Sequence, residues 1–345
     1  MHRPGQNGED AHQERRREMR ASKPEVRDLE GPWPGSLWVG LAVIALTIVA
    51  AVWASLEFRT NGFSLTLSLI IYMLSNLQML VRSIAYHDGA HGLLHSDSNK
   101  NFLPLVHGND CRVFHPLRYM LLLSTFTVFS SGFQDQREHK EHHAKTYSEQ
   151  DPDTQFHHLE SQGWWRLFWL VSAPLPRAWE LLIGWFYALN PWNCDFLPSL
   201  YIFASQVSLF LFFTSVTGGA LGLEVNMILA LAWCIRDWTP AGFLVVAMHF
   251  SHSDDQATWS TYDLPRCVEL LMGNLAYHVE HHDFQRVSWW HLPKLHEMFK
   301  ENDTGKGDWR GYRELTAFNM GSFFWDFYIR RSLRFNQAFH WSTNR

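Results

Sequence analysis

Hydrophobic positions gather in four long runs along the chain. The runs are Ser36–Leu56, Phe63–Val81, Phe196–Leu223 and Val225–Phe250. The first three carry no charge, and each is long enough to cross the hydrocarbon core of a bilayer as a helix. The fourth is interrupted by Arg236 and Asp237. The pattern predicts an all-α, multi-pass membrane protein with about four transmembrane helices.

The connections between the runs predict how the spans pair. Only Glu57–Gly62 separates the first run from the second, and a short glycine-containing segment near Gly218–Gly222 joins the third to the fourth. Helices joined by so few residues must lie side by side, so we expect two membrane hairpins. Between the hairpins, Tyr119–Gln134 and Trp164–Leu189 are either re-entrant or interfacial segments or ordinary buried helices.

The first 35 residues are charged and lack the apolar core of a signal peptide, so the first span is expected to act as an uncleaved insertion signal. The arginines of this segment include Arg15, Arg16, Arg17 and Arg20. They favour a cytoplasmic N-terminus, and two hairpins would then leave both long polar regions on the cytoplasmic face. We therefore expect a polar cytoplasmic segment 1–35, a membrane domain 36–304 and a C-terminal cytoplasmic cap 305–345.

Histidines form tight groups within or at the edges of the polar regions, and the chain has 20 of them. The first group begins His87-Asp-Gly-Ala-His91 directly after the second run, and His95 follows four residues later. On a helix, steps of four residues keep these side chains within an arc of about 80°. One helix face could therefore present His87 and His91 together, and His95 is the weaker candidate because its neighbours already supply the pair.

Two further groups share the spacing HxxHH. They are His139, His142 and His143, and His278, His281 and His282. This spacing places the three imidazoles of a group within about 100° of one helix face. His249 and His252 form another group at the exit of the fourth run. Repeated spacing of this kind predicts metal binding.

The number of clustered histidines indicates how many metal ions are bound. Imidazole nitrogen suits zinc, copper, iron and nickel, and a site with one metal ion uses only about three or four histidines. Eight or more clustered ligands therefore indicate two metal ions. The isolated histidines are instead interpreted as surface residues or hydrogen-bonded core residues. They are His2, His12, His107, His115, His291, His296 and His340.

Charge and cysteine usage exclude several classes of protein. The formal net charge is −5, and without a long basic stripe the sequence does not indicate a nucleic-acid partner. The cysteines form no CxxC pair, which argues against a zinc ribbon and an iron–sulfur cluster. They are Cys111, Cys194, Cys234 and Cys267.

The three groups HxxxH, HxxHH and HxxHH, in this order, resemble the histidine boxes of the membrane fatty-acid desaturase superfamily. The resemblance extends from about His87 to Pro293. It implies a four-span helical fold with a cytoplasmic helical cap that holds a non-haem di-iron centre. The implied iron ligands are His87, His91, His139, His142, His143, His278, His281 and His282, with His252 as a further ligand after the last span.

Other positions of the resemblance concern the surroundings of the iron and the substrate. Asn274 is similar to an asparagine that approaches one iron through water in acyl-CoA desaturases. Asp-Pro-Asp-Thr after the second box resembles acyl-lipid desaturases, whereas the sequence around His87 and the third box also resembles carotenoid ketolases and hydroxylases. Asp283-Phe284-Gln285 departs from the usual pair after the last box, so the resemblance does not define the substrate.

The resemblance implies that O2 and two iron ions attack a C–H bond, because no ordinary acid or base can break an unactivated C–H bond. The leading hypothesis is a desaturase that introduces a double bond into a lipid acyl chain. The alternatives are a di-iron hydroxylase or ketolase acting on a carotenoid or another apolar metabolite, a histidine-rich metal transporter, and a zinc-dependent membrane hydrolase. Because no His-Pro-Gly-Gly haem segment occurs, electrons are expected from a separate ferredoxin or cytochrome b5 with its reductase. The expected location is the endoplasmic reticulum in a eukaryote or the plasma membrane in a bacterium.

Overall fold

The structure is a computed structural model of the 345-residue chain. It describes residues 6–88, 91, 93, 139–144, 219–239, 241–242, 259–303 and 312–316, with scattered single positions between 172 and 215. The interpretations of Tyr119–Gln134, of His95 and of His252 lie outside the described residues. The interpretations of Trp164–Leu189, of Phe196–Leu223 and of the cap 305–345 lie mostly outside the described residues.

The amino-terminal half of the described chain is helical. Its helices are α1 (Gln6–Ser22), α2 (Val26–Leu29), α3 (Gly35–Asn61) and α4 (Leu65–Arg82), and a π-helix (Ser83–Asp88) continues α4. Helix α4 begins at an N-cap, because the Ser64 hydroxyl accepts a hydrogen bond from the Leu67 N–H at 3.0 Å. Helices α3 and α4 pack against each other as a hairpin.

The remaining described elements follow after residue 219. They are α5 (Ala220–Cys234), a 3₁₀ turn (Arg236–Trp238), β1 (Trp259–Asp263), α6 (Arg266–Leu271), α7 (His278–Asp283), α8 (Leu292–Asp303) and β2 (Tyr312–Thr316). The two strands pair in parallel, with Trp259 opposite Tyr312 and Asp263 opposite Thr316. The described chain is therefore mainly helical, as predicted, but it also contains a short two-stranded sheet that the sequence analysis did not predict.

The first two apolar runs form helices whose ends differ from the predicted span ends. The first run was expected to stop at Leu56, but α3 continues to Asn61, and most of the predicted connection is helical. Charged residues mark where a segment leaves the bilayer, whereas the helix itself ends only at Gly62, which has φ +66°. Among the described residues, only Trp38–Asn61 is both long and apolar enough to cross a membrane, and Leu65–Val81 and Ala220–Cys234 are shorter apolar helices.

The fourth apolar run is not one continuous helix. Helix α5 ends at Cys234, and the charged pair that interrupts the run forms the following 3₁₀ turn. Both charged side chains are buried, and Arg236 Nε donates to Asp237 Oδ1 at 3.3 Å. The Arg236 guanidinium also lies 3.4 Å from the centre of the Trp233 ring. These contacts compensate the buried charge.

Two of the apolar cores join the helices on either side of the histidine boxes. The first joins α3, α4 and α5 through Ala51, Ala54, Leu67, Ile70, Ile71, Leu74, Ile228, Leu229 and Ala232. Two polar contacts reinforce it, because Ser75 Oγ donates to the Ala232 carbonyl at 2.8 Å and Gln78 Nε2 donates to the Leu229 carbonyl at 3.0 Å. The second core joins α1 and α2 to α7 and α8 through Met19, Val26, Leu29, Val279, Leu292, Leu295 and Phe299. The amino-terminal segment thus packs on the helix that carries the third histidine box.

Candidate metal centre

The π-helix presents the first histidine box at the end of α4. The His91 N–H donates to the His87 carbonyl at 3.3 Å, so the two histidines of the first box lie close together. At the start of the π-helix, Ser83 Oγ donates to the Met272 carbonyl at 3.0 Å. Gly273, with φ +60°, lies against the same serine. The first box is thereby held against the turn that precedes α7.

The third box forms α7, and every residue of this helix is buried. At about 100° per residue, His278, His281 and His282 share one face, as the spacing predicts. The second box lies in the helical residues 139–144, which the structure places against the third box. Three segments that are far apart in sequence therefore meet through their imidazoles.

Five imidazole nitrogens converge on one point. One nitrogen from each of His87, His91, His139, His143 and His281 lies within 4.8 Å of all the others. The Nε2–Nε2 distances are 2.8 Å for His87–His281, 2.9 Å for His281–His143, 3.1 Å for His143–His139 and 3.0 Å for His139–His91. All three predicted boxes contribute to this cluster.

Hydrogen bonds alone cannot account for this cluster. A ring nitrogen of a neutral imidazole offers either one N–H or one lone pair in the ring plane. Five nitrogens can therefore form at most two pairwise hydrogen bonds, whereas four close nitrogen–nitrogen contacts are present. The remaining contacts bring two electronegative ring nitrogens together without a hydrogen bond between them. A cation at the centre would remove this repulsion, so the donor set fits a metal ion.

The number of converging ligands bears on the identity of the metal ion. Five converging imidazoles exceed the four ligands of tetrahedral zinc. The donor set therefore argues against the zinc hydrolase alternative.

Burial keeps the imidazoles in the form that binds metal. Desolvation lowers the pKa of His87 to about 3, and it lowers the pKa values of His91, His143 and His281 well below that of free histidine. Neighbouring imidazoles lower the pKa values of His91, His143 and His281 further. Near neutral pH the side chains are therefore uncharged, and each can direct a lone pair at a cation.

Three further predicted ligands lie beside the five-histidine cluster. The His142 and His282 ring centres are 5.2 Å apart, and those of His278 and His282 are 4.5 Å apart. His282 also lies 4.1 Å from His143, which connects this group to the cluster. Apart from His252, all the predicted ligands are described, and the structure brings them together. The arrangement is compatible with a site that holds more than one metal ion.

A buried carboxylate supports the first box, and the sequence analysis did not single it out. Asp88 is fully buried, and its Oδ1 lies 3.4 Å from His87 Nδ1. Its Oδ2 accepts a hydrogen bond from the Trp289 N–H at 3.3 Å. A carboxylate behind a ligand imidazole fixes the orientation of the ring and raises its basicity. In the sequence, the feature that points to Asp88 is its position next to the first histidine of the box.

Asn274, which is similar to an asparagine near iron in acyl-CoA desaturases, makes hydrogen bonds within the turn before α7. Its φ is +55°, and its side-chain amide donates to the Trp289 carbonyl at 2.8 Å. Its Oδ1 accepts a hydrogen bond from Arg266 at 2.8 Å. The amide is therefore engaged in shaping the turn before α7. Of the isolated histidines, His296 is buried and bonded to Glu280, as interpreted, and His291 lies near the Leu29 carbonyl.

Comparisons with known proteins agree with the histidine boxes. The sphingolipid delta(4)-desaturase of Candida albicans is 25% identical over 321 residues, which cover 85% of this chain and 77% of that protein. A sphingolipid delta(4)-desaturase DES1-like protein of Oryza sativa subsp. japonica is 23% identical over 309 residues, covering 85% and 81% of the two chains. A putative sphingolipid delta(4)-desaturase/C4-monooxygenase of Caenorhabditis elegans is 39% identical over 62 residues, 18% of this chain and 16% of that protein.

The family comparison covers the whole candidate site. The model of the family described as fatty acid desaturase matches residues 63–314. This range includes the two core helices α4 and α5 and all three histidine boxes. Because the match extends over more than half of the chain, this protein belongs to the fatty acid desaturase family.

Proposed function

We propose that this protein is an O2-dependent di-iron desaturase that introduces a double bond into the hydrocarbon chain of a lipid. The observation that carries the proposal is the convergence of five imidazoles from three histidine boxes, in a chain of the desaturase family. When bound, the iron pair would supply the oxidation by O2 that removes hydrogen from an unactivated C–H bond. The hydrogen atoms that leave would end in water.

The ligand set divides into two neighbouring groups. His87, His91, His139, His143 and His281 would hold one iron ion at the point where their nitrogens converge. His142, His278 and His282 would contribute to the second, because their rings lie beside the first group. We propose that His252 completes the second set. Imidazoles alone can hold iron without carboxylate ligands.

The protein around the ligands would orient them and exclude water. Asp88 would hold His87 in the tautomer whose Nε2 faces the metal, because its carboxylate lies beside Nδ1. The complete burial of α7 would keep bulk water away from the third box. A dry site strengthens electrostatic interactions and limits side reactions of the bound oxidant.

The proposed topology is four spans in two hairpins with the histidines on the cytoplasmic face. Large apolar side chains on α3 are exposed, including Trp38, Leu46, Val49 and Trp53, as expected of a surface that faces lipid. Arg59 at the end of α3 pairs with Glu224 at the start of α5 at 2.8 Å. Both hairpin turns would then lie at one membrane surface, and His87, beyond the other end of α4, at the opposite surface.

We also propose a domain division and a location. Segment 1–35 would lie on the cytoplasmic face, the membrane domain would comprise 36–304, and 305–345 would complete the cap. The packing of α1 on α7 supports a common face for the amino terminus and the third box. A separate ferredoxin or cytochrome b5 with its reductase would deliver electrons. The membrane would be the endoplasmic reticulum in a eukaryote or the plasma membrane in a bacterium.

The substrate class we propose is a sphingolipid. The Candida albicans and Oryza sativa relatives, both named sphingolipid delta(4)-desaturases, each align over 85% of this chain. Hydroxylation is the second candidate activity, because the name of the Caenorhabditis elegans relative includes a C4-monooxygenase. The metal transporter alternative loses support, since the histidines of the cluster lie beyond α4 and in α7 rather than inside an apolar helix.

Lipid analysis of a heterologous host tests this proposal. The host would express the wild-type chain or the His281→Ala variant, each together with an electron donor that supports another desaturase in the same host. We expect a sphingolipid lacking two hydrogens in the wild type alone, whereas an added oxygen would indicate hydroxylation. Purified wild-type protein that is reduced by the donor but consumes no O2 and alters no lipid would refute the proposal.

A further inference from the structure

The helix that carries the third histidine box is too short to orient itself. Helix α7 has six residues, about 9 Å of helix, and isolated helices of this length are unstable in water. All six side chains are buried, so its rotation must be fixed by contacts from neighbouring elements. A rotation by one residue, about 100°, would turn His281 away from the cluster.

The side chains of α7 separate by chemistry onto two faces. On a helical projection, the three histidines fall within about 100°, and Glu280 and Asp283 lie on the opposite side. Neither carboxylate can therefore reach the imidazole cluster directly. Both are buried, so each requires a partner elsewhere. Those partners come from two different helices.

The first partner is Arg15 of α1. Arg15 Nε donates to Asp283 Oδ2 at 2.7 Å, and its Nη2 donates to Oδ1 at 3.2 Å. The side chains are 1% and 0% exposed, so this is a two-point ion pair between residues 268 positions apart in sequence. Two parallel hydrogen bonds fix direction as well as distance. In the sequence, Arg15 is only one of several positive charges that favour a cytoplasmic amino terminus.

The second partner is His296 of α8, whose Nδ1 lies 2.6 Å from Glu280 Oε1. Helices α1 and α8 also share one apolar core with α7, in which Met19 and Phe299 are fully buried. Helices α1 and α8 thus each contact one carboxylate on the face of α7 that lies opposite its histidines. Of the two contacts, only the one to Arg15 depends on the amino-terminal segment.

We propose that α1 is an integral part of the metal centre and that Arg15 is a positioning residue. Through Asp283, Arg15 fixes the rotation of α7 and so directs His281 and His282 at the metal ions. The inference rests on the proposed di-iron function for its consequence, but the positioning itself is a property of the metal-free chain. The amino-terminal segment therefore has a role in metal binding in addition to any role in topology.

Four variants of the full-length chain in detergent test this role. Arg15→Met removes the ion pair, and Arg17→Met is the matched control because Arg17 is exposed on the same helix. The double variant Arg15→Met/Asp283→Met replaces the pair by flexible apolar side chains, so that neither member is left as a buried charge without the other. Arg15→Lys keeps the charge but loses the two-point geometry.

Three measurements are made on each variant, and the first is the unfolding temperature. Anaerobic titration with Fe²⁺, followed by absorption and Mössbauer spectra, gives metal affinity and the environment of the iron. Hydrogen exchange of the metal-free protein gives the protection of backbone amides in 278–283. Changes in groups that orient metal ligands typically weaken affinity by about 10–100-fold. We expect about tenfold weaker Fe²⁺ binding, altered spectra and faster exchange in 278–283 for Arg15→Met, and wild-type behaviour for Arg17→Met.

The double variant separates positioning from simple stability. We expect the double variant to have the unfolding temperature of the wild type, but not its Fe²⁺ affinity or its spectra. Arg15→Lys should lie between the wild type and Arg15→Met. The inference is overturned if Arg15→Met binds Fe²⁺ like the control, or if the double variant restores affinity and spectra together with stability. If the wild type itself binds no Fe²⁺, the proposed function fails, and hydrogen exchange alone tests the inference. Faster exchange confined to 278–283 in Arg15→Met then supports it. Unchanged exchange overturns it.

Discussion

The Nε2 atoms of His87 and His281 lie 2.8 Å apart, although 194 positions separate the two residues in sequence. His87 belongs to the π-helix that continues α4, and His281 belongs to the short helix α7. The contact therefore joins the first histidine box to the third, and it can form only when α7 is docked against the end of α4. The metal centre and the packing of these two helices are thus interdependent.

Removal of either member of this pair should abolish the site. We expect His87→Ala and His281→Ala each to reduce bound iron by at least one ion for each protein and to reduce lipid product by more than about 100-fold, because ligands that converge on one ion act as a unit. Iron content measured by mass spectrometry, together with product analysis, checks this. His291→Ala is the matched control, since this histidine lies outside the cluster near the Leu29 carbonyl. Wild-type iron content in either variant would contradict the assignment.

The carboxylate behind His87 provides a finer test. Asp88→Asn keeps an oxygen that can accept the Trp289 N–H but removes the ionisable carboxyl group beside His87 Nδ1, whose pKa is raised by burial. We expect Fe²⁺ affinity to fall by about 10–100-fold with little change in fold. An anaerobic titration with a competing chelator measures this, with the exposed Glu297→Gln as control. Unchanged affinity would show that Asp88 does not orient the ligand.

The histidine boxes could be predicted from sequence because their signal is local. A helix brings residues three or four positions apart onto one face, so HxxxH and HxxHH indicate a shared surface before any tertiary contact is known. Apolar runs likewise predicted the hairpin of α3 and α4. The spacing also predicted which histidines converge, among them His87 and His281. It did not predict how close their nitrogen atoms lie.

Long-range and compensating contacts could not be predicted in this way. No local pattern distinguishes Arg15, which pairs with a buried aspartate, from the exposed Arg17 two residues later. The sequence marks Arg236 and Asp237 as an interruption of the fourth run, but it does not show that both are buried or that an ion pair and a ring contact offset the penalty of burying the charge. Asn274 was compared with a residue near iron, and its hydrogen bonds within the turn became visible only in the fold.

A glycine before α7 allows the close approach of the first and third boxes. Gly273 has φ +60°, and a Cβ there would lie 2.4 Å from Ser83 Cβ. Gly273→Ala should therefore combine backbone strain with a clash and destabilise the protein by about 2–4 kcal/mol, with loss of iron. Gly62→Ala is a control for backbone strain without a clash, because φ is +66° with ψ −142° and nothing lies within 4 Å of the added Cβ. Its effect should be the strain alone, about 1–3 kcal/mol, with the iron content unchanged. Wild-type iron content in Gly273→Ala would contradict the predicted clash.

The exposed apolar surface of α3 gives the last prediction. Val49 lies near the middle of the candidate span Trp38–Asn61 and is 66% exposed. On the surface of a water-soluble protein, Val49→Arg would change stability by no more than about 0.5 kcal/mol. In the middle of a membrane span, an arginine costs about 2.5–3.5 kcal/mol of insertion free energy. We therefore expect Val49→Arg to reduce the membrane-inserted fraction strongly in a microsomal insertion assay, while Val49→Leu inserts like the wild type. Equal insertion of the two variants would show that this face of α3 does not contact lipid, and it would remove the main structural support for the first span.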